Sequence, residues 1–377
     1  MGSIDWASLA KGQGVDPLGA DRVRAIRRAL LNWYDRSARN LPWRRLNGDV
    51  YGHWVAEVML QQTQVETVLG YYGRFLERFP TVEALASSSL DEVLSVWQGL
   101  GYYRRAEHLH RAARQVVEAG CWPGDADQWH RLPGVGRYTA GAVASMALGQ
   151  RVAAVDGNVA RVLSRLVPVG EDSAGPAGRR RLEQTATRLV PVKRPGDFNQ
   201  ALMDLGAGVC RPRQPRCSDC PVSSTCAAHA LGLTDVLPLT RPRSKPVRVD
   251  RVVVALMREG RVLLRRRPSG GRWAGLWELP SGEIGDGNPA AAASELIRAL
   301  DMEPADGLTP VGTVSHALTH RLYYFHIFAG SLGNGGSVLK RRRGRRWVAR
   351  SGLGRVAMAS AHRKILRHLR HWTEAAR

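Results

Sequence analysis

Leu132-Pro133-Gly134-Val135-Gly136-Arg137-Tyr138-Thr139-Ala140 lies between two segments with helical patterning. Gly134 and Gly136 permit a tight turn without Cβ clashes. Backbone N–H groups at the start of the following helix then face outward, where they can hold a phosphate. The form is two helices joined by a hairpin. A backbone contact of that kind, if made to a nucleic-acid phosphate, would position the strand without reading its bases. An ordinary interhelix turn uses the same L-P-G-x-G letters, so the wider chain has to decide.

Outward from the hairpin, the pattern is helical from Val23 to about Ala230. Ala106, Leu109, Ala112, Ala113, Val116 and Val117 share one face, and Val159, Val162, Leu163 and Leu166 share another. Leu237 to Val247 (L-P-L-T-R-P-R-S-K-P-V) is a Pro-rich, basic linker with no apolar period. Beyond it come β-branched runs at Val249–Met257, Arg261–Leu264 and Leu322–Phe328, with helices expected near Ala290–Leu300 and Arg363–Leu369. The expectation is a loose leader over 1–20, a helical domain over 21–232, a linker over 233–247 and an α+β domain over 248–377.

A chain of 377 residues has room for two cores, and 44% hydrophobic residues is ample for both. No apolar run reaches the ~18 residues that span a bilayer, and no signal-peptide core opens the chain, so a cytoplasmic protein is expected. The formal charge of +22 and the pI near 10.9 call for a polyanionic partner. From Lys340 onward, thirteen Lys or Arg face one acid, Glu374, and this basic tail supplies more than half of the net charge. Charge alone does not divide nucleic acid from an acidic membrane.

Of five cysteines, Cys210, Cys217, Cys220 and Cys226 fall within seventeen residues at C-x6-C-x2-C-x5-C spacing. Four thiolates around one centre suit zinc or an iron–sulfur cube, although the paired C-x2-4-C knuckles usual for zinc are missing. Cys121, beside Trp122, reads as a small buried hydrophobe. Asp156, eighteen residues past Tyr138, precedes the periodic run Val159–Leu166 and is a favoured helix N-cap. Glu57, Gln61 and Gln64 fall at i, i+4 and i+7 of a helical segment, and by residue type alone they form a solvated stripe.

Together these features resemble the helix–hairpin–helix DNA glycosylases, and Glu57-Val58-Met59-Leu60-Gln61-Gln62-Thr63-Gln64-Val65 resembles the signature of their MutY-type adenine-excising branch. The cysteine spacing is that of the [4Fe–4S] loop of endonuclease III-like members, which makes Cys210, Cys217, Cys220 and Cys226 the ligands of a structural, DNA-positioning cluster in loop 210–226. The resemblance implies a mainly α core with a Nudix-like α+β C-terminal domain. It makes Glu57 the acid that protonates adenine N7, Asp156 the carboxylate that stabilises or traps C1′, and Asn158 the residue that orients them. Glycosidic cleavage uses such a carboxyl pair.

Tyr138 stands where backbone-cutting relatives carry a Schiff-base lysine, which implies a glycosylase without lyase activity. A lyase-active enzyme and a catalytically silent DNA-binding protein are the alternatives. The first is opposed by Tyr138 and by the C-terminal domain, the second by the intact pair Glu57 and Asp156. Gly134, Val135 and Gly136 become the phosphate-binding hairpin. The resemblance places Arg44 of L-P-W-R, Leu60, Gln62, Asp204 of N-Q-A-L-M-D-L-G and Tyr102 of G-L-G-Y-Y at the substrate, Tyr102 as a wedge in the base stack.

In the C-terminal domain, Leu263–Pro268 and Trp273–Pro280 carry the likeness. Its Nudix helix reads Ser294-Glu295-Leu296-Ile297-Arg298-Ala299, with too few carboxylates for Mg²⁺ hydrolysis. His316-Ala317-Leu318-Thr319-His320 matches the family's 8-oxoguanine loop with leucine in place of phenylalanine, so Leu318, Thr319 and His320 are the implied lesion contacts. The implied partner is double-stranded DNA with adenine opposite 8-oxoguanine or guanine, bound by a monomer with no role for a membrane.

Overall fold

The computed structural model describes residues 18–44, 48–167, 173, 175–239, 245–268, 270–285, 287–332 and 344–375. Most of the expected leader, part of the expected linker, and Lys340 with the three arginines after it lie outside these residues. The chain divides into two compact units, Met1–Ser87 with His108–Pro242 and Ser88–Glu107 with Arg243–Arg377. The second unit therefore draws a segment from the middle of the helical region.

In the first unit, Ala20–Ser37 buries Val23, Ile26, Leu30 and Tyr34, a stripe at helical spacing. That stripe shares one core with Val159 and Leu163 of Gly157–Leu166 and with Phe198, Ala201 and Leu202 of Pro195–Asp204, the helix it packs on. Each buried Leu, Ile or Phe contributes about 1.5–3 kcal/mol. Val50–Leu60, capped by the Asp49 carboxylate, is buried on every side from Tyr51 to Met59 and packs on Arg137–Met146, itself buried from Thr139 to Ser145. Small residues allow that depth. A Cβ on Gly141 would lie 2.3 Å from the Ala153 carbonyl oxygen.

The polar stripe expected on one helix does not form. Val50–Leu60 ends before Gln61, and Gln64 is the exposed residue that opens the next helix, Val65–Arg78. Cys121 is exposed, not buried, because the helix Arg104–Ala119 ends before it. Val117, read as part of that helix's apolar face, is 39% exposed.

In the second unit, β1 (Val247–Arg258), β2 (Arg261–Arg266), β3 (Trp277–Glu278), β4 (Ser281–Glu283), β5 (Thr309–Leu318), β6 (Arg321–Ser331) and β7 (Arg345–Ala349) form one mixed sheet. Its path is β3-β2-β1-β6-β5, with β4 paired to β1 and β7 to β2, and β1 runs parallel to β6. Val252, Val254 and Leu256 face Ala293 and Ile297 of the helix Pro289–Arg298, while Val253 and Ala255 join the core built with Ile365 and Leu366 of Ser360–Ala375. A strand buried on both faces reads as an unbroken apolar run.

The supposed basic tail is therefore partly sheet and helix. Arg345–Ala349 pairs with β2, and Ile365, Leu366 and Leu369 are buried. Within the same unit, Ser89 and Glu92 form a reciprocal capping box that starts Leu90–Val96. No helix among the described residues is long and apolar enough to cross a membrane.

Candidate active site

Glu57 occupies the last turn of Val50–Leu60 and is 4% exposed. The Tyr138 hydroxyl, from the first turn of Arg137–Met146, donates to Glu57 Oε2 at 2.7 Å. Burial pushes the Glu57 carboxyl up to about 7. The Tyr138 bond and the Arg44 charge oppose this, while the Asp156 charge reinforces it. The side chain taken by residue type for a solvated one is thus a buried acid of the site.

Asp156 caps Gly157–Leu166: its Oδ1 accepts from the Val159 N–H at 2.7 Å and its Oδ2 from Asn158 Nδ2 at 3.3 Å. Burial raises its pKa against these bonds and the Arg161 charge. Asn158 Oδ1 in turn accepts from Arg161 Nη2 at 2.9 Å, and the same guanidinium donates to the Gly206 and Cys210 carbonyls at 2.8 and 2.9 Å. Gly206 belongs to a π-helical turn, Leu205–Val209, and its missing Cβ would lie 2.8 Å from Asn158 Cβ. Arg161 was not singled out by sequence. Its only signal there is a position three residues past Asn158 on one helix.

Arg44 and Asp204 form a bidentate pair at 2.6 and 2.8 Å, and Arg39 Nε reaches Asp204 Oδ1 at 2.6 Å. Burial raises the Asp204 carboxyl, but the bonds and charge of Arg44 and the charge of Arg39 outweigh it and hold the pKa low. Both Asp204 oxygens are engaged by arginine, so this acid fixes Arg44, whose guanidinium also lies 5.6 Å from the Tyr34 ring centre. Arg39 is a second residue that sequence missed. Its partner lies 165 positions away.

Gly134 has φ of +75°, and a Cβ there would meet His108 Cβ at 2.6 Å, so glycine is required. Gly136 differs from the expectation. Its φ is −82°, its Cβ would meet nothing within 4 Å, and it is the uncapped N-cap of Arg137–Met146. Val135 between them is buried and accepts at its carbonyl from His130 Nδ1 at 3.1 Å. Gln61 Nε2 ties the turn after Leu60 to Thr139 Oγ1 at 3.0 Å. Leu60 is half-buried, and Gln62 is exposed with φ of +59°.

Cys210, Cys217, Cys220 and Cys226 line one cavity with Val162, Arg165, Leu166 and Val209. Among the described residues, no three His, Cys, Asp or Glu side chains form a ready-made metal site. The donor set nevertheless fits a soft, multi-iron centre: four thiols, an apolar wall, and Arg165 Nη1 at 3.3 Å from Cys210 Sγ. Burial pushes the Cys220 thiol up to about 12.

In the second unit, Thr319 and His320 are the exposed two-residue turn between β5 and β6, with Leu318 opposite Arg321 and half-buried against the sheet core. The His320 carbonyl accepts from the Val247 N–H at 3.0 Å. Tyr102 is 51% exposed with φ of +48°. The helix Pro289–Arg298 carries Glu295 as its one carboxylate.

Residues 55–191 match the model of the HhH-GPD superfamily base excision DNA repair proteins, and residues 251–368 match the NUDIX domain. The chain is 38% identical over 403 residues to the adenine DNA glycosylase of Homo sapiens, covering 92% of this chain and 74% of that protein. It is 40% identical over 309 residues to the adenine DNA glycosylase of Arabidopsis thaliana, covering 71% of this chain and 49% of that one. A thermostable thymine-DNA glycosylase structure superimposes with a TM-score of 0.52 at 30% identity, over 56% of this chain and 98% of that one. The helical core with its buried acid is that of a base excision DNA glycosylase, an enzyme that hydrolyses N-glycosyl bonds. Within that class, the chain belongs to the adenine DNA glycosylase family.

Proposed function

We propose that the enzyme removes adenine opposite 8-oxoguanine or guanine by proton transfer from Glu57 to N7 of the extruded base. The observation that carries this is the Glu57–Tyr138 pair, a buried carboxyl that keeps a proton up to about pH 7 beside the Asp156 charge. Protonation makes adenine a neutral leaving group as the C1′–N9 bond breaks. Asp156, held by its cap bonds and by Asn158, faces the cationic sugar and stabilises or traps C1′. Water then adds to C1′ and its proton returns to Glu57, leaving an abasic site. With Tyr138 in place of an amine there is no Schiff base and no strand cleavage.

Arg44, fixed by Asp204, lies beside the flipped base with Leu60, while Gln62 and Tyr102 enter the duplex. The Gly134–Gly136 hairpin holds a phosphate. Cys210, Cys217, Cys220 and Cys226 hold a [4Fe–4S] cluster, which when bound supplies a fixed, positively flanked loop for DNA and takes no part in bond cleavage. Thr319 and His320, at an exposed hairpin tip, reach the 8-oxoguanine, with Leu318 in the position of an aromatic contact. The monomer acts alone on duplex DNA.

The test is single-turnover excision, read by alkaline strand scission, on duplexes with adenine opposite 8-oxoguanine, guanine or thymine. Excision from the first two and none from the third is expected. Thr319→Ala with His320→Ala should lower the 8-oxoguanine-to-guanine rate ratio, since each base-directed bond is worth about 1–3 kcal/mol. An unchanged ratio removes the lesion-reading role from that turn.

A further inference from the structure

We propose that Tyr103, the second tyrosine of Gly99-Leu100-Gly101-Tyr102-Tyr103, is a positioning residue through which the sheet of the second unit sets the pose of Tyr102. Tyr102 is a half-exposed aromatic held at a positive φ, a conformation that a bulky residue keeps only when its surroundings enforce it. The enforcement is visible on both sides of the loop. From the chain that follows, Arg105 Nη2 donates to the Gly101 carbonyl at 3.1 Å and its guanidinium lies 5.4 Å from the Tyr102 ring centre. Trp97 Nε1 donates to the same carbonyl at 3.1 Å.

The other side is held from the C-terminal segment. The buried Tyr103 hydroxyl donates to the Met358 carbonyl at 3.1 Å and accepts from the Gly99 N–H at 3.4 Å. Met358 is bridged in the backbone to Trp277 of β3. Arg363 Nη2 donates to Gln98 Oε1 at 2.7 Å, while the same guanidinium gathers the carbonyls of Leu353, Gly354 and Val356. Arg266 of β2 meets Asp91 at 2.8 Å. A backbone-to-side-chain chain thus runs from Trp277 through Met358 and Tyr103 to Gly99, two residues before the glycine whose carbonyl is pinned beneath Tyr102. Tyr103 is buried in this arrangement and acts through Tyr102.

The inference rests on the reading of Tyr102 as the duplex wedge, and the experiment separates the two. The full-length protein is bound to a duplex carrying 2-aminopurine next to the base opposite adenine, so that unstacking at the wedge step raises fluorescence. Tyr102→Ala tests the wedge itself and should abolish the rise. Tyr103→Phe keeps the buried ring and removes only the hydroxyl. Gln98→Ala removes the Arg363 tether and leaves the carbonyl cluster intact. Each should at least halve the fluorescence rise and slow single-turnover excision about three- to tenfold. The pH profile of excision should not move and the melting temperature should fall by no more than the loss of one buried hydrogen bond allows, whereas a general loss of structure would change both.

A wild-type fluorescence rise in Tyr103→Phe and Gln98→Ala, with the rise lost in Tyr102→Ala, overturns the positioning role and leaves the wedge standing. A wild-type rise in Tyr102→Ala overturns the wedge and the proposal with it.

Discussion

Burial pushes the Glu57 carboxyl up to about 7, so it holds its proton well above the usual carboxylate range. In the proposed reaction only the protonated form is active, so kcat/KM should fall as pH rises through about 7. A pH–rate profile flat from 6 to 9 would exclude Glu57 as the acid. The same shift has a stability consequence. The unfolded chain releases this proton near 4.5 and the folded chain near 7, so stability falls as pH climbs between those values. Glu57→Gln keeps an acceptor for Tyr138 and cannot ionise. Near pH 5 it should match the parent in denaturant unfolding, and at pH 8.5 it should be more stable by on the order of 2–3 kcal/mol. Parallel curves for the two proteins would mean that the buried charge is tolerated at no cost. Asp156→Asn is the complementary case. Asparagine caps a helix as well as aspartate, so unfolding should shift by at most about 0.5 kcal/mol while excision falls about 10²–10⁴-fold.

Among the elements, the hairpin offers the sharpest contrast. Gly134→Ala forces a Cβ into His108 at a positive φ and should destabilise the fold by about 2–4 kcal/mol. Gly136→Ala has open space and an ordinary φ, so its stability should stay within about 0.5 kcal/mol. A loss of DNA affinity in Gly136→Ala without a loss of stability is expected if a phosphate approaches the backbone there, and full affinity would remove that contact.

The hairpin, the cysteine loop and the helix after Asp156 were legible because their signals are local: glycine pairs, ligand spacing and a 3.6-residue period. Val50–Leu60 was recognisable only by family likeness, since a helix buried all round has no polar face to betray its orientation. β5 escaped notice because Gly312, Ser315 and His316 interrupt its alternation, and β7 because its arginines read as solvated charge. Arg39 and Arg161 acquire their roles from partners supplied by the fold, Asp204 for the first and the Gly206 and Cys210 carbonyls for the second.

Over the whole molecule, the charge of +22 should make binding steeply salt-dependent, by about 0.9 log units per log unit of salt for each phosphate neutralised. Mispaired and fully paired duplexes should weaken in parallel, and affinity insensitive to salt would contradict a phosphate-dominated interface. Cutting the chain after Leu237 should leave the Glu57–Tyr138 pair intact, yet it removes Met358, Arg363 and Arg266 from Ser88–Glu107. Amide exchange within Ser88–Glu107 should then accelerate at least tenfold while Arg137–Met146 keeps its protection. Equal protection in both proteins would show that this segment stands without the sheet.

The discontinuity of the second unit also bears on time and on inheritance. Ser88–Glu107 leaves the ribosome long before Arg243, so its partners are not yet synthesised when the first helices settle, and the last contacts to form are the most distant ones. A recombination event exchanging this unit between relatives would need three junctions, at Ser88, after Glu107 and at Arg243. A single crossover in the linker would transplant the sheet and leave behind the piece of chain that it holds.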